Sequence, residues 1–243
     1  MNSLVFIFIV VTSGAAAGAI YGALNLAIVE PYLDVAINIE NQNLFESGEA
    51  DDTFEFWIEY DAYRTWQKSG QVLGSIIMGV SIGALFGIVY SLFRRVIPGG
   101  HDIRKALLLA AIMWLTLFVV PALKYPANPP TVGETETVEI RTMLYIALIA
   151  ISGLLAIGFY LLSRRLRGYQ KLSAAAGYGI LMGVILIILP ENPDAITAPA
   201  DLIWGYRIAA AATVSAYWLV LPLFFGSLWK RLDTDRQLIS ENS

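Results

Sequence analysis

The chain has 243 residues, of which 57% are hydrophobic and 15% charged, whereas a soluble domain carries about 25% charged residues. The composition therefore points to a bilayer rather than to a water-shielded core. Cysteine is absent and histidine occurs once, at His101, which excludes disulfides, thiolate metal sites and any multi-histidine centre within the chain. The formal charge of −4 comes without a basic tract, so nothing points to nucleic acid.

A helix needs about 20 mostly apolar residues to cross roughly 30 Å of hydrocarbon. The first stretch that qualifies runs from Leu4 to Val29. It lacks a basic leader and stays apolar beyond Ala15, Ala16 and Ala17, so it reads as a retained span rather than a cleaved signal peptide. Gly14, Gly18 and Gly22 recur every four residues along it and make a flat stripe that another helix backbone can approach closely. Beyond Val29 comes a long polar insertion, 30–70. Its first half, through Asp52, is acidic and is expected to be loosely ordered. From Thr53 to Lys68, Phe56, Tyr60 and Tyr63, with Trp57 and Trp66, suit a short amphipathic helix at the outer interface.

The second span, Gln71 to Phe93, carries a matching stripe, Gly79, Gly83 and Gly87. Spans then follow at Ala106 to Leu123, Met143 to Leu162, Leu172 to Leu189 and Ile208 to Trp229, and the fifth has a stripe of its own in Ala175, Gly179 and Gly183. Spans two and four both end in a tyrosine followed by paired arginines, Tyr90 with Arg94 and Arg95, and Tyr160 with Arg164 and Arg165. Two readings stay open for this: a parallel internal repeat, or the ordinary preference of cytoplasmic helix ends. The expected fold is thus all-α, one integral membrane domain of six transmembrane helices with a short outer interfacial helix.

Charge sets the expected orientation, because Lys and Arg are retained on the cytoplasmic side. The gaps after spans two and four, together with the tail, hold 11 of the 16 basic residues, while the remaining gaps hold 16 of the 20 acidic ones. Both termini are therefore expected in the cytoplasm, below a strongly acidic outer face.

No phosphate-cradling loop, nucleophile elbow or second histidine is present, so no catalytic residue or cofactor is expected. The candidate cation ligands are carboxylates near the outer helix ends: Glu30 and Asp34, then Glu191 and Asp194, with Glu134, Glu136 and Glu139 on the third outer connection. Such oxygen donors attract and loosely coordinate a divalent cation, whereas selective cobalt binding usually calls for imidazole or thiolate. Hydrated surface carboxylates would look the same in sequence. Asn25 and Thr116 are the polar candidates within the spans.

The third outer connection reads PALKYPANPPTVGETETVEIR from Pro121 to Arg141. Its prolines confine the backbone to extended and turn conformations, so Lys124, Tyr125, Asn128 and Glu134 are displayed on a stiff loop. The string Pro121, Lys124, Tyr125, Pro126, Asn128, Pro129, Pro130 and Gly133, then Glu134 and the helix start at Arg141 and Thr142, resembles the CbtA family of probable cobalt transporter subunits. The first span, with its small-residue stripe and terminal Val29-Glu30-Pro31, is similar too. Six spans exceed the five often described for that family. The resemblance implies a membrane subunit of a divalent cation uptake transporter, cobalt in particular, working with a small single-span CbtB-type subunit or as a homo-oligomer. The reading from another class is a non-transporting scaffold or assembly subunit, with the proline loop docking a partner.

Overall fold

The computed structural model describes residues 2–129, 132–133, 135–194, 196 and 198–241, the side chains of 135 and 233–241 apart. Apart from one 3₁₀ turn, Thr135–Thr137, the regular structure among them is built of six long helices: α1 Ser3–Ser47, α2 Phe54–Phe93, α3 Asp102–Lys124, α4 Val138–Ser163, α5 Gln170–Ile188 and α6 Ala200–Glu241. All six are long and apolar enough to cross a membrane, and the chain is a multi-pass membrane protein.

The insertion after the first span departs from the sequence expectation. Residues 30–47 are helical and continuous with span one, so neither a loosely ordered acidic half nor a separate interfacial helix is found. The segment 54–68 forms the first turns of the 40-residue α2. At 1.5 Å per residue α1 and α2 are about 65 and 60 Å long, roughly twice the hydrocarbon thickness, and their polar ends form a helical hairpin. Gly48 ends α1 in the left-handed conformation, φ 76°, with its N–H on the Leu44 and Phe45 carbonyls. Thr53 caps α2 by accepting from the Phe56 N–H at 3.3 Å. Phe45 packs edge-on against Phe56 and Trp57 and closes the turn.

Two helices carry a π-turn immediately ahead of a proline. In α1 it spans Asn25–Val29, with Pro31 following; in α3 it spans Leu115–Val119, with Pro121 following. Proline removes an N–H and clashes with the carbonyl four residues back, which kinks or stops an ordinary helix. A wide turn ahead of each proline shifts the hydrogen-bond register, so that Glu30 N–H bonds to the Asn25 carbonyl and Val120 N–H to that of Leu115, and the helix continues.

The backbone groups into two compact units, residues 1–111 with 204–243, and residues 112–203. In the first unit the glycine stripes of α1 and α2 face each other. A Cβ on Gly14 would stand 2.6 Å from the Gly79 carbonyl oxygen, one on Gly83 3.0 Å from the Gly14 Cα, and one on Gly18 would strike the Ser75 carbonyl. A Cβ on Gly22 would meet Ser75 at 3.1 Å, and one on Gly87 would meet Val10 at 2.6 Å. Phe86, Tyr90, Phe225 and Trp229 form an aromatic core in which Tyr90 donates to the Asp102 carboxylate at 2.7 Å. The second unit centres on Val120, Leu148 and Met182. The span-five stripe meets no partner among the described residues: Ala175 is exposed, and Gly179 and Gly183 look onto open space.

Candidate functional site

At the base of the hairpin, Glu30 and Asp34 share a face of α1, being four residues apart, and Arg64 and Lys68 share a face of α2 for the same reason. Antiparallel packing sets the two pairs against each other. Arg64 Nη2 donates to Glu30 Oε1 and, at 2.7 Å, to Asp34 Oδ1, while its Nη1 donates to Gln67 Oε1 at 2.8 Å. Lys68 Nζ stands 3.0 Å from Asp34 Oδ2. Glu30 is 5% exposed and Arg64 8%, although both are charged. Burial works to raise the Asp34 carboxyl, yet hydrogen bonds from Arg64 and Lys68 outweigh it and hold it below the ordinary carboxylate value.

Beneath this cluster lies a series of uncharged polar groups. Tyr206 of α6 is close enough to Glu30 and Tyr21 to interact electrostatically with both. The buried Asn25 amide, inside the π-turn, donates to the Tyr21 carbonyl at 3.0 Å. Tyr21 meets Tyr217 edge to face at 6.0 Å, and the Tyr217 hydroxyl donates to the Gly79 carbonyl at 3.1 Å. Phenols and an amide, paired with backbone carbonyls, thus occur in the first unit between Glu30 and Gly79. Intramembrane polar groups of this kind mark transport paths more often than lipid-facing surface.

The proline loop belongs to the second unit, where it is pinned to the connection after α5. Tyr125 donates to the Pro190 carbonyl at 2.6 Å. Asp194, its carboxylate 2% exposed, takes the Thr137 hydroxyl at 2.6 Å and faces Arg141 Nε at 2.9 Å. Arg141 also donates to the Val132 carbonyl at 3.3 Å. Gly133 has φ +112° and sits against this pair so closely that a Cβ would collide with Arg141 and with Asp194. Pro121 and Pro129 are buried, Lys124, Pro126 and Asn128 are half-buried, and Pro130 and Glu134 lie outside the described residues. Glu191 is exposed on the connection that carries Asp194, and Glu136 and Glu139 are exposed as well.

Inside this unit Pro121 leaves the Thr116 carbonyl without its π-ladder donor. Ser152 of α4 supplies one: its hydroxyl, fully buried, donates to the Thr116 carbonyl at 2.6 Å and pairs with the Tyr178 hydroxyl of α5 at 2.8 Å. Borrowed hydroxyls of this kind are how prolines are tolerated in spanning helices.

Of the carboxylates singled out in sequence, Glu30 and Asp34 are therefore brought together and Asp194 is buried in an ion pair. Among the described residues, no three His, Cys, Asp or Glu side chains converge as a metal site. His101 is exposed. Sequence reasoning missed Arg64 and Lys68 as the partners of the acidic pair, and Tyr206, Tyr217, Ser152 and Tyr178 altogether. One signal was available for the first two, since the acidic and the basic pair have the same four-residue spacing on either side of a turn.

A family model described as probable cobalt transporter subunit (CbtA) matches residues 4–230. No curated protein and no solved structure matches the chain.

Proposed function

Because the chain belongs to the CbtA family of probable cobalt transporter subunits, we propose that it takes up a divalent cation across the cell membrane, with Glu30 and Asp34 as the outer station of the path. The observation that carries this reading is the buried charge cluster at the base of the hairpin, with the polar series from Tyr206 to Tyr217 beneath it. Carboxylates and phenols suit a hard or loosely held ion. Selectivity for cobalt needs softer donors, and we assign these to another membrane subunit of the CbtB type. Asp194, occupied by Arg141 and Thr137, serves the second unit by holding the proline loop to the 190–194 connection, and Glu191 beside it adds to the negative field at the surface.

In the same reading both termini are cytoplasmic. Of the five basic residues on the acidic side, Arg64, Lys68 and Arg141 are held in ion pairs with carboxylates, which lowers the cost of placing them there. Single cysteines at Ser47 and Thr135 should react with an impermeant thiol reagent from outside, and one at Gly100 should not.

The direct test is radiocobalt uptake in a host lacking its own importer. Wild type should exceed empty vector, Glu30→Gln should fall well below wild type, and Asp51→Asn, in the exposed turn of the hairpin, should match wild type. The scaffold reading keeps one observation in its favour: Glu30, Asp34 and Asp194 are all neutralised by basic side chains of the chain itself. Uptake equal to empty vector for every variant would leave that reading in place.

A further inference from the structure

The acidic pair at the base of the hairpin already holds a cation, and that cation is part of the protein. The Arg64 guanidinium lies against Glu30 and Asp34 with both acids on one Nη2, Gln67 takes Nη1, and the buried Nε finds no acceptor among the described residues. A guanidinium offers five donors in a fixed plane, and a buried charged group with a donor unmet is a costly occupant. Glu30 cannot escape the cluster, because it is fixed on the helix directly above the π-turn and is almost fully buried, so it needs a positive partner whenever it is ionised. Arg64, by contrast, reaches in on a long flexible stem. The arrangement is a site built for positive charge, filled by an occupant that fits it incompletely.

We propose that Arg64 is a tethered competitor for the transported ion: a divalent cation exchanges with its guanidinium at Glu30 and Asp34, so that Arg64 sets the concentration threshold and the valence selectivity of this station. This rests on the cation-transport reading. A monovalent ion brings no more charge than the guanidinium it must displace and loses its tethering, whereas a divalent ion brings twice the charge to the same two carboxylates. Lys68 remains with Asp34 and keeps the site from binding the ion too tightly to release it.

The test uses the purified full chain in lipid nanodiscs, titrated calorimetrically with Co²⁺ alone. Arg64→Gln should bind about tenfold more tightly than wild type, the scale expected when one competing unit charge leaves a partly buried site. The gain should vanish in Glu30→Gln/Arg64→Gln. Binding by a folded Arg64→Gln no tighter than wild type would overturn the proposal, as would a gain that survives the loss of Glu30. Should Arg64→Gln fail to fold, the wild-type protein decides. Modification of Arg64 by phenylglyoxal, read by mass spectrometry, should rise several-fold and saturably with Co²⁺ and stay flat with Na⁺ at matched ionic strength, and a flat response to Co²⁺ would sink the idea. Exchange in nanodiscs without uptake in cells would remove the transport reading while leaving this exchange standing.

Discussion

The two units solve one problem, a proline within a long spanning helix, and reach opposite results. In each, a five-residue π-turn absorbs the proline: Asn25–Val29 before Pro31, and Leu115–Val119 before Pro121. In the first unit the helix then runs on to Ser47; in the second it stops at Lys124. The residues beyond the proline make the difference. After Pro31 come Leu33, Ala36 and Leu44 at helical spacing, with α2 available as a partner, and no further proline. After Pro121 come Pro126, Pro129 and Pro130 within nine residues, which rule out a helix and leave a loop that must be pinned by side chains. A proline thus marks a helix end only when the residues beyond it cannot pack.

The largest expected difference between the units lies in their glycines. Gly18→Leu drives a side chain into the α2 backbone at Ser75 and Ile76, neither of which can yield, so the protein should fail to reach a folded state in detergent. Gly179→Leu in the second unit meets open space and should leave the stability within about 0.5 kcal/mol of wild type, as for a surface substitution. Equal behaviour of the two variants, measured by size-exclusion yield and thermal melt, would show that the stripes are not distinguished as the packing indicates.

Next come the ion pairs. Asp194→Asn breaks a pair whose carboxylate is nearly inaccessible, and losing one partner of a buried pair costs about 3 to 5 kcal/mol. Asp34→Asn removes a carboxylate whose side chain is 41% exposed, and the cost there should be no more than about 1 kcal/mol. Chemical-denaturation midpoints of the two variants should therefore separate clearly, and a larger loss for Asp34→Asn would reverse the ranking of the two clusters.

The third test addresses how the second π-turn is held. Ser152→Ala orphans the Thr116 carbonyl and should cost about 1 kcal/mol, in the range of hydrogen bonds between spanning helices. In a Pro121→Ala background residue 121 has an N–H of its own, so the same substitution should cost distinctly less. A double-mutant cycle with no coupling would mean that the Ser152 hydroxyl does not replace the missing donor.

These contrasts show where the sequence could be read and where it could not. Hydropathy placed one apolar stretch on each of the six long helices, because the thickness of the bilayer fixes their length: the stretch Met143 to Leu162 falls inside Val138–Ser163, and Leu172 to Leu189 ends one residue past Gln170–Ile188, whereas the first two stretches cover only the apolar parts of Ser3–Ser47 and Phe54–Phe93. The hairpin was missed because the acidic and amide residues between Glu30 and Asp52 interrupt the apolar positions and leave too few at helical spacing to announce a packed face. The buried Asn41 sits among them, where a periodicity count expects an apolar residue. The acidic pair was legible at its four-residue spacing, but that two basic residues would neutralise it required knowing that 30–47 and 54–70 run antiparallel. The Ser152–Thr116 bond joins residues 36 apart through a backbone group freed by a proline, and no pattern of residue types announces that.

The smallest expected effect is a pH dependence confined to the first unit. Arg64 and Lys68 hold the Asp34 carboxyl below its ordinary value, which is about 3.9 in an unfolded chain. A depressed folded-state value means that the unfolded chain takes up the proton first. The contribution is then complete above about pH 4 and is lost as the pH falls through the folded value. Thermal stability should therefore be flat in this respect between about pH 5 and pH 7, and decline below about pH 4 more steeply in wild type than in Asp34→Asn, which has no carboxyl to protonate at that position. Because Asp34 is partly exposed, solvent screens the pair and the difference should be a few degrees at most. It should also shrink when salt is raised to about 1 M, where the screening length is about 3 Å. Parallel acid profiles for the two proteins at low salt would show that Arg64 leans on Glu30 alone, and would place the whole electrostatic strength of the hairpin base in the buried pair.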